Sequence, residues 1–415
     1  MSTADLFPDA DAALPAPSRE AGLSRLKAFA PSMARHYATK RNFDFGPEDR
    51  SNVSGLSPHV RHRLLPEAEL VKAALERHGL DGAEKFIQEA CWRTYFKGWM
   101  ELRPSVWTSY RSGLERDLNA LERDGALRER YENAVGANTG IACFDAWAEE
   151  LVEHGYLHNH ARMWFASIWT FTLDLPWRLG ADFFLRHLMD GDPASNTLGW
   201  RWVCGLHTRG KTYLARASNI NKYTGGRFEM QGFDLASEAP ALDPDLDHPD
   251  PAPLAPADRP DRDAPTLILV HDEDGLAEHW GVEGLDIRAV AGLDSLANRS
   301  PLEAGDKARV FTDGAINDAL SRAGAAFKAD AHRITPGALA QTARQAGATQ
   351  IVTQRAHAGP LRDCLEAQAH ALKDADMNLV ALRRDWDRAF HPYSDKGFFK
   401  VKKKIPSLLA DLGLT

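Results

Sequence analysis

Three side chains in the segment IQEACWRTYF would share one face if this segment is helical. Glu89, Trp92 and Arg93 are spaced at i, i+3 and i+4, and residues at these spacings are neighbours on a helix surface. Such a face combines an acid, a large ring and a permanent cation. An ordinary helix with a Glu–Arg pair and a core tryptophan has the same pattern, so the spacing alone leaves both interpretations open.

A second polar set lies in HNHARMWFASIWTFTLDL, which is apolar nearly all round and therefore predicts a buried helix. Within it, Asn159, Arg162 and Met163 repeat the same spacing. A buried arginine needs a carboxylate partner. Asp190 and Asp192, further along the chain, are the candidates.

These two acids belong to MDGDPASNTLGWRWVCG, which also contains Asn196, Trp200 and Trp202. Unpaired buried charge is costly, and the mixture of acids, amide and indoles suits the wall of a pocket for a flat, polar ligand. On a helix, the two indoles point about 200° apart. One can therefore face a buried ligand while the other faces an outer cavity.

The segments that position these residues fall into two regions. Patterns with apolar residues at three and four predict helices through the first region, residues 18–233, which includes a further helix starting at Trp177. The Asp- and Pro-rich residues 234–264 predict an extended linker. After it, the short apolar runs APTLILVH, DIRAVA, ARVF, TQIVT and MNLVAL alternate with helical segments. Residues 265–415 are thus predicted to form a doubly wound, mostly parallel α/β domain.

Composition excludes several other classes of protein. The net charge of −8 argues against gross coating of nucleic acid. No membrane span or signal peptide is expected from the sequence, and the cytoplasm is the expected location. The four cysteines lack metal-ligand or disulfide spacing, and the HxH pair His158 and His160 has no third ligand nearby. The sequence therefore predicts no metal site.

Five motifs carry a resemblance to a known family. They are SGLSPHVRHRLL, EACWRTYF, GYLHNHARMW, LPWRLG and MDGDPASNTLGWRWVCG, and their order is similar to that in the FAD-binding helical domain of the photolyase/cryptochrome family. The likeness extends from about Glu20 to Phe228. The last segment, WDRAFHPYSDKGFFKVKKKIPSLL, resembles the end of the family's α/β domain, which normally precedes the helical one. We therefore expect a circular permutation; an unrelated α/β module is the alternative.

The resemblance implies FAD as the cofactor and leaves room for an antenna chromophore of unknown identity. It assigns FAD contacts near the phosphates, the adenine and ribose, and the flavin ring. These residues are Tyr37, Ser54, Leu56, Ser57, Arg93, Arg162, Asp190, Asp192 and Asn196.

The resemblance also implies a substrate cavity for a flipped cyclobutane pyrimidine dimer, with Glu89 and Asn159 as catalytic residues and Trp92, Met163 and Trp202 as binding residues. Trp200 and Trp177 resemble the inner and middle members of a tryptophan chain that reduces the flavin in light, with Trp107 as the candidate outer member. Asn159 and Met163 stand where related (6-4) enzymes carry histidines.

Two functions follow as expectations. One is a light-driven DNA photolyase that acts on damaged DNA. The other is a cryptochrome-like blue-light photoreceptor that signals to a protein partner through flavin redox change. A flavin-free helical protein would require all five motifs to be accidental. The basic run from Lys396 to Lys404 is read either as a solvated helix face or, if it lies beside the cavity, as a contact for DNA phosphate.

Overall fold

The computed structural model describes residues 14–243 and 249–415. The first thirteen residues and the linker residues 244–248 lie outside it. The first region is helical, as predicted. Its helices are α1 Arg19–Phe29, α2 Arg35–Lys40, α3 Ser57–Arg61, α4 Glu67–Gly82, α5 Glu84–Glu101, α6 Ser105–Arg123, α7 Gly125–Val135, α8 Ala142–His154, α9 Asn159–Ser167, α10 Trp177–His187, α11 Pro193–Val203 and α12 Ala217–Tyr223.

Helices α9 and α11 carry six of the predicted site residues, and local chemistry fixes where each helix begins. The His158 side chain caps α9 by accepting a hydrogen bond from the His160 backbone N–H. Asp192 caps α11 by accepting from the Ser195 N–H, and Pro193 occupies the first turn, where its missing N–H costs nothing. The α9 segment continues through a π-helical turn, Ile168–Thr172, in the middle of the aromatic core.

The second region is a doubly wound parallel sheet, as predicted. Its strand order is β3-β2-β1-β4-β5, the order of the first five strands of a dinucleotide-binding α/β fold. The strands are β1 Thr266–His271, β2 Ile287–Leu293, β3 Ala331–Arg333, β4 Gln350–Gln354 and β5 Asn378–Leu382. The helices are α13 Asp306–Phe327, α14 Leu339–Gln345, α15 Pro360–Ala367, α16 Ala369–Asp374, α17 Asp385–Phe390 and α18 Phe398–Asp411.

One predicted strand was wrong. The run ARVF, residues 308–311, lies inside α13, and the short strand β3 was missed. The buried residues Ala308, Phe311 and Ala315 recur at helical spacing, whereas Val310 is exposed. Four residues are too few to distinguish a strand from a helix by periodicity alone.

The last helices belong to the core of the first region as well as to the sheet domain. Trp386, Phe390 and Phe398 join the large hydrophobic cluster of the helical region. Outside residues 244–248, the chain between Leu235 and Pro265 has neither helix nor strand. Its backbone crosses from one region to the other, since Ala252 N–H donates to the carbonyl of Leu102. The exact domain boundaries remain predictions.

Buried ion pairs connect the carboxyl ends of the strands to the helical region. Arg61 of α3 lies 3.1 Å from Asp272, which follows β1, and neither side chain is exposed. Two residues further on, Arg63 binds Asp387 at 2.7 Å. Burial would raise the pKa of the Asp272 carboxyl, but the Arg61 and Arg299 guanidiniums lower it to about 2. The interface between the regions is therefore charged and internally paired.

Two further findings concern the chain as a whole. None of the helices in residues 14–243 and 249–415 has both the length and the apolar character needed to cross a bilayer. All four cysteines are buried and free.

Candidate functional site

A cavity of about 670 Å³ opens between the loop before α3 and helices α5, α9 and α11. Its volume is in the range of small-molecule and cofactor sites. The predicted site residues, apart from Trp177, all line this one cavity. They are Tyr37, Ser54, Leu56, Ser57, Glu89, Trp92, Arg93, Asn159, Arg162, Met163, Asp190, Asp192, Asn196, Trp200 and Trp202.

The predicted ion pair between α9 and the segment before α11 is present. Arg162 Nη2 lies 2.8 Å from Asp190 Oδ2, and Arg162 Nε donates to the carbonyl of Leu157 at 2.9 Å. The second carboxylate oxygen of Asp190 is buried and makes no hydrogen bond to any residue that the structure describes. A buried acceptor of this kind normally has a partner, so Asp190 is placed to bind a ligand group.

Asp192 is engaged by two cations from α5. Its Oδ2 lies 3.0 Å from Lys97 Nζ and 3.1 Å from Arg93 Nη2. Burial would raise the pKa of the Asp192 carboxyl, but these cations and the Ser195 N–H hold it well below its usual range. Asp192 is therefore ionised. Sequence reasoning missed Lys97, although its position four residues after Arg93 placed it on the same helix face.

The loop that precedes α3 forms another wall. Ser54, Leu56 and Ser57 line the cavity, and Arg25 of α1 holds this loop by donating to the carbonyl of Ser54 at 2.8 Å. Gly55 has a φ of +66°, a backbone conformation that favours glycine. The loop can thus turn its backbone towards a bound group.

Asn196 and Trp200 lie one turn apart on α11, both on the cavity. Asn196 Nδ2 donates to the carbonyl of Ala181 at 2.7 Å, which fixes its amide. Trp200 packs edge-on against Phe184 at 5.2 Å, and its indole N–H, although buried, makes no hydrogen bond within residues 14–243 and 249–415. A Cβ at Gly180 would approach the Trp200 ring to 2.3 Å. The glycine therefore leaves room for the indole in this position.

A second group of cavity residues is rich in aromatic surface. Trp92 stacks on Phe398 of α18 with ring centroids 3.8 Å apart, and Trp202 contacts Tyr213 at 5.5 Å. Glu89 Oε1 lies 3.4 Å from Arg41 Nε. Burial raises the pKa of the Glu89 carboxyl above its ordinary value, although Arg41 opposes this shift. Arg41 was not predicted, because it lies 48 residues from Glu89 in the chain.

Trp177 lies outside the cavity lining, at the start of α10. Its ring contacts Tyr110 at 5.9 Å, and Tyr110 contacts Trp107 at 5.3 Å. Trp107, the candidate outer tryptophan, is buried, and its indole N–H donates to Asp363 at 2.8 Å. The three rings form a continuous aromatic row that leads from α10 to the sheet domain.

The HxH pair is used within the protein. His158 Nδ1 caps α9, whereas His160 Nδ1 lies 3.1 Å from the carbonyl of Asn42 and its ring stacks on Trp164 at 4.3 Å. Nδ1 of each ring thus has a backbone partner, while His158 also lines the cavity.

The donors and acceptors of the cavity fit a dinucleotide with a flat ring system. Besides Asp190 Oδ1 and Trp200 Nε1, the buried atoms Arg93 Nε and Ser195 Oγ make no hydrogen bond in the described part of the chain. A ligand with phosphates, hydroxyls and a polar ring edge offers hydrogen-bond acceptors and donors to these atoms. The indoles offer flat apolar surface to its rings.

Comparison with known proteins identifies a related domain. Residues 86–232 match the family described as the FAD binding domain of DNA photolyase. The deoxyribodipyrimidine photo-lyase of Streptomyces griseus is 32% identical over 228 residues, which cover 51% of this chain and 48% of that protein. Its namesake in Thermus thermophilus is 32% identical over 236 residues, or 55% and 51% of the two chains. The chain thus spans about half the length of these relatives.

Two solved structures are also similar. A bacterial class III photolyase from Agrobacterium tumefaciens matches with 25% identity and a TM-score of 0.42, over 53% of this chain and 46% of its own. A Synechocystis cryptochrome matches with 23% identity and a TM-score of 0.42, over 54% and 48%. Residues 86–232 thus resemble the FAD binding domain of DNA photolyase, and that match indicates FAD as the cofactor.

Proposed function

We propose that this protein is a light-driven DNA photolyase that repairs cyclobutane pyrimidine dimers. Reduced FAD, when bound, supplies on absorbing light the electron that starts cleavage of the dimer. The observation that carries the proposal is that one cavity is lined both by the predicted FAD-binding residues and by the predicted lesion-binding residues. Arg162, Asp190 and Asn196 would hold the flavin, whereas Glu89 and Trp92 would meet the lesion.

The second group of residues has the chemistry that a flipped base requires. A lesion must leave the base stack to reach the cofactor, and the rings of Trp92 and Trp202 can stack on it. Burial raises the pKa of the Glu89 carboxyl, although this group lies 3.4 Å from Arg41. The carboxyl can hydrogen-bond the edge of a pyrimidine from the cavity wall, where Asn159 offers an amide beside it.

Damaged DNA is the proposed partner, and the C-terminal helix supplies cations for it. Helix α18 begins at Phe398, against the cavity residue Trp92. Lys403 on this helix is exposed, and Lys402 pairs with Glu84 of α5 at 3.5 Å. Phe398, within the basic run, thus packs against the cavity residue Trp92, and the neighbouring lysines can contact DNA phosphate despite the negative net charge.

We further infer that the α/β domain is the family's own domain moved to the C-terminus. The matched region ends at residue 232, before the linker, and the parallel sheet follows it. The resemblance of the last segment to the end of the family's α/β domain supports this order. With four free, buried cysteines, the chain suits a reducing cytoplasm.

The test is illumination of the reduced, FAD-loaded protein with dimer-containing single- and double-stranded DNA, followed by quantification of restored pyrimidines. We expect repair in the wild type. In Glu89→Ala the repair rate should fall at least about tenfold, because one catalytic group that hydrogen-bonds the substrate is removed. Glu89→Gln should retain more activity, because an amide N–H can still donate. Glu76→Ala, which removes an exposed acid on α4, is the control and should repair normally.

A blue-light photoreceptor is the second candidate, and two contacts favour it. Phe398 covers one face of Trp92, and Arg41 engages Glu89, so two of the five predicted lesion contacts already have partners in the chain. Light-driven flavin reduction without any repair of dimers in single- or double-stranded DNA would favour this function over the first.

A further inference from the structure

Two buried histidines and a glutamate, none of which lines the cavity, meet where the helical region contacts the sheet domain. Glu101 is the last residue of α5, His357 follows β4, and His391 follows α17. Glu101 Oε2 lies 3.0 Å from His391 Nδ1 and 3.4 Å from His357 Nδ1. One carboxylate oxygen is thus shared by two ring nitrogens of the same type.

The 3.4 Å separation equals an edge of a metal coordination sphere, and the 3.0 Å separation is somewhat shorter than one. A tetrahedral ion with ligand bonds of about 2.0–2.1 Å holds its ligand atoms about 3.3–3.4 Å apart. One potential ligand atom from each of the three residues lies within 4.8 Å of the other two. Two imidazoles and one carboxylate form a donor set that suits divalent transition metals, zinc in particular.

The far sides of both rings face a second acid. His357 Nε2 and His391 Nε2 each lie 3.6 Å from an oxygen of Asp387. A carboxylate behind the ligand is the usual partner of a metal-binding histidine, because it orients the ring and fixes the tautomer. Arg383 in turn holds Glu101 by donating from Nη1 and Nη2 to its two oxygens, and Arg63 Nη2 donates to both oxygens of Asp387. The carboxylates are therefore fixed in position.

The histidines themselves are poorly satisfied within the described residues. His357 is 5% exposed and His391 is fully buried. Neither ring nitrogen of His357, nor Nε2 of His391, makes a hydrogen bond of acceptable geometry. Buried polar atoms without partners are uncommon, and here three of them belong to two adjacent rings that share two carboxylates.

We propose that Glu101, His357 and His391 bind one divalent transition metal ion, with Zn²⁺ as the expected ion and Asp387 as the group that orients both rings. The fold leaves this site buried, so its role is structural. The ion ties the end of α5 to two separate segments of the sheet domain. It stabilises the contact between the regions, independently of what the FAD cavity does.

The test uses the full-length chain without an affinity tag, stripped of metal by a chelator. Zn²⁺ binding is measured by elemental analysis, and Co²⁺ binding by its visible ligand-field absorption. We expect one ion per chain, Co²⁺ bands of tetrahedral intensity, and a rise in the unfolding temperature on adding Zn²⁺. A wild-type chain that takes up no stoichiometric ion, or that unfolds identically with Zn²⁺ and with chelator, overturns the proposal without recourse to any variant.

Variants then locate the ion. His357→Gln and His391→Gln should each abolish stoichiometric binding, and Asp387→Asn should weaken it about 10–100-fold. His370→Gln is the matched control, because His370 lies 3.4 Å from Asp374 in an exposed pair. It should bind metal as the wild type does. Binding that persists in both buried-histidine variants, or that is lost in His370→Gln, places the ion elsewhere and contradicts the assignment.

Discussion

Trp92 of α5 and Phe398 of α18 stack face to face, with ring centroids 3.8 Å apart and planes 14° from parallel. Trp92 lines the cavity, whereas Phe398 begins the last helix of the chain. The wall of the predicted lesion site thus depends on a residue more than 300 positions away. The adjacent Phe399 is 76% exposed and provides a natural comparison.

We expect Phe398→Ala to destabilise the protein by about 3–5 kcal/mol, because it removes a buried ring from a packed cluster. Dimer-containing DNA should also bind more weakly, because Trp92 loses the ring that fixes it. Urea unfolding and DNA titration measure the two effects. Phe399→Ala should change the free energy of unfolding by less than about 0.5 kcal/mol. Equal effects from the two substitutions would show that the stack is unimportant.

Asp192→Asn should lower FAD occupancy and destabilise the apoprotein by about 3–5 kcal/mol, because it leaves Lys97 and Arg93 without their common counter-charge. The asparagine can still cap α11, so loss of charge rather than of the cap is tested. Flavin absorbance per chain and urea unfolding are the measurements. Asp385→Asn removes an exposed partner of Arg388 and should cost less than about 1 kcal/mol. Full flavin occupancy in Asp192→Asn would contradict the predicted cofactor contact.

Trp200→Phe and Trp177→Phe should each slow the light-driven reduction of bound flavin while leaving FAD content unchanged, since phenylalanine is much harder to oxidise than tryptophan. Trp107→Phe should do the same if the row through Tyr110 continues the route. Asp363 accepts the Trp107 indole N–H at 2.8 Å and can take up the proton that an oxidised indole releases. Asp363→Asn should therefore shorten the lifetime of the tryptophan radical seen by transient absorption. Wild-type reduction kinetics in Trp177→Phe would exclude this route.

Glu150 should make the stability of the protein depend on pH. Burial and the nearby Asp44 raise the pKa of its carboxyl from 4.5 to about 7, although Arg50 lies 3.1 Å away. Between these values the folded state binds the proton more tightly than the unfolded state. The contribution to stability is thus complete below pH 4.5 and is lost as pH rises through 7, by about 3 kcal/mol in total.

Urea unfolding from pH 5 to pH 8 measures this loss. Glu150→Gln should flatten the fall in the free energy of unfolding, whereas Glu149→Gln, at the exposed neighbouring position, should leave it unchanged. An identical pH dependence in wild type and Glu150→Gln would assign the effect to other groups.

Periodicity predicted the elements that position the site. The spacing of Glu89, Trp92 and Arg93 placed all three on one helix face, and that face lines the cavity. The buried character of the segment after Asn159 was confirmed, because a helix that is apolar on every side has no alternative in a globular domain. The prediction of a strand at ARVF was wrong because four residues are too few for periodicity to distinguish a strand from a helix.

Periodicity could not predict contacts between residues that are far apart in the sequence. Arg41 reaches Glu89, and Phe398 covers Trp92, only because separate helices pack together. The proposed metal ligands show this most clearly. Glu101 and His391 are 290 residues apart, so no ligand spacing in the sequence could reveal them.

The ion pair between Arg61 and Asp272 has a consequence for dissecting the molecule. Helix α3 carries Ser57 on the cavity at one end and the fully buried Arg61 at the other. Truncation after the helical region would remove Asp272 and leave the Arg61 guanidinium without this partner. Arg61 is only four residues from Ser57, which lines the cavity. Flavin retention should therefore be a property of the intact polypeptide, and the two regions would be poor candidates for exchange between homologues as independent modules.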